Sequence, residues 1–168
     1  MAGVTQAPHA VADVVTFDLA KQPVRSLNQF LHHGLGATMK VLVLNPDGAH
    51  NEGDASLRCG ISMKGVDIVV GGSVGDFSAF MAQAGRLVVC GDAGDALGDS
   101  LYEAVIYVRG KVKSMGADAH EEPMAETDYD AVKNLLAKAG LKHDPRQFRR
   151  VASKRELYHW NADANQEY

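Results

Sequence analysis

The chain has 168 residues, 46% of them apolar and 23% charged, and a formal net charge of −4. That length suffices for one domain with a sizeable core. Acidic and basic residues are mixed along most of the chain, and no stretch approaches the roughly 20 apolar residues of a membrane span, so neither nucleic acid nor a membrane is an expected partner.

Two cysteines, Cys59 and Cys90, form neither a disulfide framework nor a zinc spacing. The N-terminus lacks a basic region followed by a long apolar run, so no signal peptide is expected and the expected location is cytoplasmic.

Residues 1–12 are Ala-rich and expected to be flexible. Val14 to Leu19 alternates like a strand, and Lys21-Gln22-Pro23 breaks it. Ser26-Leu27-Asn28-Gln29 reads as a capping box opening a short helix with Leu27, Phe30 and Leu31 on one face and Gly34 as its stop. Met39 to Leu44 predicts a second strand, ended by the turn residues Asn45-Pro46-Asp47-Gly48. From His50 to Gly65 the pattern is less regular, with Ile61 and Met63 expected to point inward.

A repeat of 19 residues then dominates. Ile68-Val69-Val70-Gly71-Gly72 aligns with Leu87-Val88-Val89-Cys90-Gly91 and with Ile106-Tyr107-Val108-Arg109-Gly110. Gly75-Asp76 recurs as Gly94-Asp95 and has decayed to Lys113-Ser114 in the third copy. A period near 20 is the signature of one small unit stacked on itself. Residues i and i+2 of a strand share a face. Ile68, Val70, Leu87, Val89, Ile106 and Val108 should therefore line the interior, each worth roughly 1.5–3 kcal/mol before chain entropy is subtracted. Val69, Val88 and Tyr107 point the other way and are apolar, so another element of the chain or a partner must cover them. Gly72, Gly75, Gly91, Gly94 and Gly110, with Asp76 and Asp95, read as corner residues of the repeat. Glycine supplies positive φ there, and aspartate accepts turn N–H groups.

After Gly116 the repeat stops. Residues 117–126 read as a polar linker. A helix follows from Thr127, with acidic residues in its first turn, the stripe Val132, Leu135, Leu136 and Ala139, and Gly140 as its end. Pro145 to Lys154 reads as a short helix or an extended stretch. Arg146, Arg149, Arg150, Lys154 and Arg155 make a basic run, either a solvated face or a docking patch for an acidic neighbour. The organisation expected is residues 1–12 as a flexible start, 13–116 as a mainly β domain built as a parallel β-helix with short helices flanking both ends, and 117–168 as linker, helix and docking tail.

Site chemistry is sparse. None of the seven histidines has metal-ligand spacing, the glycines do not follow a dinucleotide or P-loop order, and no nucleophile setting is recognisable. No catalytic, cofactor or metal residue is assigned to this chain. Stacked Asp76 and Asp95 leave one ligand reading open, a calcium- or ligand-binding solenoid.

The segment from Gly75 to Asp95 resembles the glycine-repeat domain that ends the large subunit of glutamate synthases. Val105 to Met124, and the tail Phe148 to Ser153 with Leu157 to Asn161, are similar to the free-standing form of that domain, most of all the small-subunit family of N-methylglutamate synthases. The resemblance spans residues 14–168. It implies a right-handed parallel β-helix and a non-catalytic scaffold subunit. It further implies a class II amidotransferase-like partner and a flavin-bearing synthase partner, with FMN and an iron–sulfur cluster held by the partners. The implied reaction of such a complex joins methylamine and glutamate to give N-methylglutamate and ammonia. Other glutamate synthases and formylmethanofuran dehydrogenase-type complexes carry similar repeats. Candidate subunit contacts are Val69, Val88, Tyr107, Glu121, Glu122, Arg149, Arg150, Tyr158 and Trp160.

Overall fold

The computed structural model describes residues 14–18, 41–45, 55 and 57–157. Among them one sheet runs, in spatial order, through β1 (Val14–Asp18), β2 (Val41–Asn45), β3 (Lys64–Val70), β4 (Ala84–Val89), β5 (Val105–Val108), β7 (Arg149–Ser153) and β6 (Ala119–Glu122). The first five strands pair in parallel, in chain order. β7 and β6 then close the series antiparallel. Between β6 and β7 lie the helix α1 (Glu126–Lys138) and a 3-10 turn (Pro145–Gln147).

The repeat sets the register. Ile68 lies opposite Leu87, and Leu87 opposite Ile106. A second line of parallel bridges joins Ala55 to Val74, Val74 to Ala93 and Ala93 to Val112, and a further bridge joins Leu97 to Met115. The six side chains expected inside, from Ile68 to Val108, are all buried in one core with Met63, Val74, Leu97 and Leu101. Ile61 is only half-buried.

The opposite sheet face carries a second core. Val69, Val88 and Tyr107 are 0%, 0% and 3% exposed, packed with Val132, Leu135 and Leu136 of α1, with Ala139 at its C-cap and with Phe148. Of the two covers that the sequence allowed, the chain's own helix supplies it. These three residues are therefore not an open subunit contact. Spacing explains the fit: the stripe of α1 repeats every three to four residues, so one helix face reaches three neighbouring strands.

The glycines of the repeat act differently from the expectation. None of Gly72, Gly75, Gly91, Gly94 and Gly110 has a positive φ. For Gly91, Gly94 and Gly110 the requirement is space. A Cβ on Gly94 would stand 2.7 Å from the Asp76 nitrogen, and one on Gly110 would stand 2.5 Å from the Gly91 carbonyl carbon, both one repeat earlier. Left-handed backbone falls instead on Arg58, Gly60 and Ser62, then Phe77, Ala79 and Met81, then Ala96, Gly98 and Ser100, with φ from 51° to 71°. Most of these are not glycine, at a cost of roughly 1–2 kcal/mol each. Bonds between repeats offset that cost. The Arg58 and Phe77 amides donate to Asp76 and Asp95 carbonyls at 2.9 and 2.8 Å, and Met81 donates to Asp99 at 2.9 Å.

One further expectation changes: the 117–126 linker holds strand β6. The 145–154 stretch, read as a short helix or an extended segment, holds a 3-10 turn followed by strand β7. α1 begins at Glu126, one residue before the expected start, and Gly140 beyond its end has φ +71°. The helix expected over 26–34 and the turn residues 46–48 lie outside the described residues, as do Tyr158 and Trp160.

Candidate functional site

Polar side chains at the corners of the repeat bond from one copy to the next. The Ser73 hydroxyl accepts the Asp92 amide at 2.9 Å, and the Asp92 carboxylate accepts the Lys111 amide at 2.7 Å. In the neighbouring line the Asp76 carboxylate accepts the Asp95 amide at 2.7 Å. Asp95 itself accepts from the Ser114 hydroxyl at 3.0 Å and from the Lys113 ammonium. Hydrogen bonds from those two groups hold its carboxyl below the usual carboxylate range. Asp76 thus meets the expectation of a corner acceptor for backbone N–H, whereas Asp95 serves side chains. The Ser73–Asp92 line went unread in the sequence, although its 19-residue spacing is the signal that would have shown it.

Asp67 and Arg86 are a second pair that sequence reading passed over. They face each other in register on β3 and β4. Arg86 donates to both Asp67 oxygens, at 2.9 and 2.6 Å. The bidentate bond raises the guanidinium pKa further.

The helix is docked by a chain of charged groups. Asp128, in the first turn of α1, accepts the Ala125 amide at 2.8 Å and the Tyr107 hydroxyl at 2.7 Å. Arg150 approaches the same carboxylate at 3.4 Å and pairs with Glu122. His120 lies 3.2 Å from Glu122 through Nε2 and 3.1 Å from the Ala152 carbonyl through Nδ1. Burial, then the Asp128 bond, pushes the Tyr107 hydroxyl pKa well up.

The basic run is largely consumed within the chain. Arg149 bonds to the Gly110 carbonyl and lies 3.5 Å from Glu121. Arg150 is held as above, Arg155 lies 3.3 Å from Glu103, and Arg146 stacks 5.1 Å over the Tyr129 ring. Glu121, Glu122, Arg149 and Arg150, read as subunit contacts, therefore pair with one another across β6 and β7. Lys154 is exposed and its side chain has no partner among the described residues.

Of the histidines, His120 and His143 fall in the described residues. Arg109 donates to the Cys90 carbonyl at 2.7 Å and to His143 Nδ1 at 2.9 Å. Burial and then the Arg109 charge lower the His143 pKa. Both thiols are buried; burial pushes Cys59 up to about 12 and Cys90 up to about 11, which leaves them unreactive near neutrality. Among the described residues no group of three or more His, Cys, Asp or Glu could hold a metal ion, and no helix is long and apolar enough to cross a membrane.

One polar cavity of about 260 Å³ opens where the segment before β5 meets β6 and β7. Ala104, Val105 and Ala152 form its apolar part, and Glu103, Glu122, Arg150, Lys154 and Arg155 contribute charge. It gathers both signs of charge in one place, which the linear sequence does not show.

No family model matches the chain, and no solved structure matches it. Among curated proteins it is similar to Protein GlxC of Rhizobium meliloti (strain 1021), at 55% identity over 91 residues. That stretch is 54% of this chain and 40% of the relative, so the chain covers less than half of the protein it matches.

Proposed function

We propose that this chain is a scaffold subunit of a glutamate synthase-like flavoenzyme complex, wound as a right-handed parallel β-helix. The observation that carries the reading is the parallel pairing of residues 19 apart along several lines of the repeat. Repeats of this kind bury a continuous core by stacking and present extended surfaces to partners. The similarity to Protein GlxC, over about half of the chain, is consistent with a glutamate synthase-like family. The subunits joined would be a class II amidotransferase-like protein and an FMN-bearing synthase, in the cytoplasm, with N-methylglutamate as the product of the complex. The carboxylates of Asp76 and Asp95 already have partners within the chain, so the calcium-binding reading gains no support from them.

Affinity purification of the full chain from its native host, with mass spectrometry and an absorption spectrum, tests the proposal. Two larger partners and a flavin spectrum are expected. A colourless chain eluting alone overturns it. Supplying the eluate with methylamine and glutamate then separates N-methylglutamate formation from ordinary glutamate synthesis.

A further inference from the structure

We propose that the cavity between the segment before β5 and strands β6 and β7 binds a small zwitterionic amino acid. This goes beyond the scaffold reading and does not depend on it.

Charge and unused donors argue for a carboxylate. Arg150, Lys154 and Arg155 oppose Glu103 and Glu122 around the cavity, leaving an excess of one positive charge before His120 is considered. Arg150 uses Nε and Nη1 toward Asp128 and Glu122, and Arg155 uses Nη2 toward Glu103. Lys154 has no side-chain partner among the described residues, and Arg155, 69% exposed at its side chain, is held by one carboxylate at 3.3 Å. A carboxylate accepts such donors two at a time, with charge-assisted bonds.

The two glutamates argue against a compact dianion such as phosphate, which they would repel. They favour a ligand that also carries a cation. Glu103 has a side chain 63% exposed and a single partner, Arg155 at 3.3 Å, so it can receive an ammonium. The apolar part formed by Ala104, Val105 and Ala152 accepts a short aliphatic body. At about 260 Å³ the cavity is below the roughly 300–1,000 Å³ typical of drug-sized ligands, which suits a metabolite of amino-acid size.

Isothermal titration calorimetry on the full chain, with whatever subunits co-purify, tests this with L-alanine and L-glutamate as probes. Acetate, ethylamine and inorganic phosphate serve as partial ligands at matched ionic strength. A saturable heat with an amino acid is expected, with acetate and ethylamine each at least about tenfold weaker. Lys154→Ala/Arg155→Ala should weaken amino-acid binding about tenfold or more. Glu103→Gln should weaken it while sparing acetate. Both substitutions are at exposed positions, and an unchanged thermal midpoint verifies folding. No saturable heat up to about 10 mM amino acid overturns the proposal. So does phosphate binding as tightly as the amino acids, or amino-acid binding unchanged in both variants. Any of these outcomes leaves the scaffold reading standing, because subunit co-purification is read separately.

Discussion

Asp67 and Arg86 face each other in register on adjacent parallel strands, joined by two hydrogen bonds of 2.9 and 2.6 Å. The aspartate is 8% exposed as a residue, while the arginine side chain is 40% exposed. Removing the arginine strands a nearly buried carboxylate. Arg86→Met should therefore destabilise by about 1–3 kcal/mol, a buried-pair cost reduced for the solvent that reaches Arg86. Asp67→Val/Arg86→Met should recover most of that loss, since no unpaired charge remains. Urea unfolding of the single and double variants measures it, and simply additive costs would refute the coupling.

The stacking glycines should respond to volume rather than to φ. Gly94→Ala places a methyl group against the Asp76 backbone, and the expected cost is about 1–3 kcal/mol or more, as for overpacking. Gly140→Ala meets nothing within 4 Å but has φ +71°, so it should cost only about 1–2 kcal/mol. Thermal unfolding of both variants compares them. A milder effect at Gly94 than at Gly140 contradicts the close-packing account.

Tyr107→Phe removes the hydroxyl that reaches Asp128 in the first turn of α1, while the ring keeps its place over the sheet. Loss of a hydrogen bond to a charged group predicts a cost of about 1.5–3 kcal/mol. Leu136→Ala, fully within the second core, should cost about 2–5 kcal/mol. Hydrogen exchange should rise mainly over 126–139 in both variants. A rise spread evenly over β3, β4 and β5 would mean that the helix and sheet unfold as one unit.

The buried thiols give an alkaline signature. Their pKa values in the fold are raised to about 12 for Cys59 and about 11 for Cys90, against about 8.5 in an unfolded chain. A raised value means stability fully present below the unfolded pKa and lost as pH rises through the folded one. Each thiol should therefore contribute a fall of about 1.4 kcal/mol per pH unit between roughly pH 9 and 11. Cys59→Ala/Cys90→Ala should flatten the curve in that window, relative to its own stability at pH 7. Identical slopes for variant and parent exclude the thiols as the source.

Much of this was legible because a repeat writes its spacing into the chain. The period of 19 fixed which residues are neighbours, so the interior ladder from Ile68 to Val108 could be named from apolar alternation alone. The stripe of α1 and its glycine end were readable for the same local reason. What the repeat places beside a glycine was harder to read. A glycine needed for φ and one needed for space look alike in sequence, and only the distance from Gly94 to Asp76 separates them. Likewise the left-handed positions from Arg58 to Ser100 carry no compositional mark, because bonds to the next repeat hold them there.

By itself the sequence determined the repeat, its apolar ladders and the amphipathic helix, since each depends on periodicity along one chain segment. Tertiary structure alone decided that α1 covers Val69, Val88 and Tyr107, that the basic run pairs with Glu121, Glu122 and Glu103, and that a charged cavity opens beside β6 and β7. Those relations join residues far apart in the chain, and their energies depend on distance and burial, which composition and spacing do not carry.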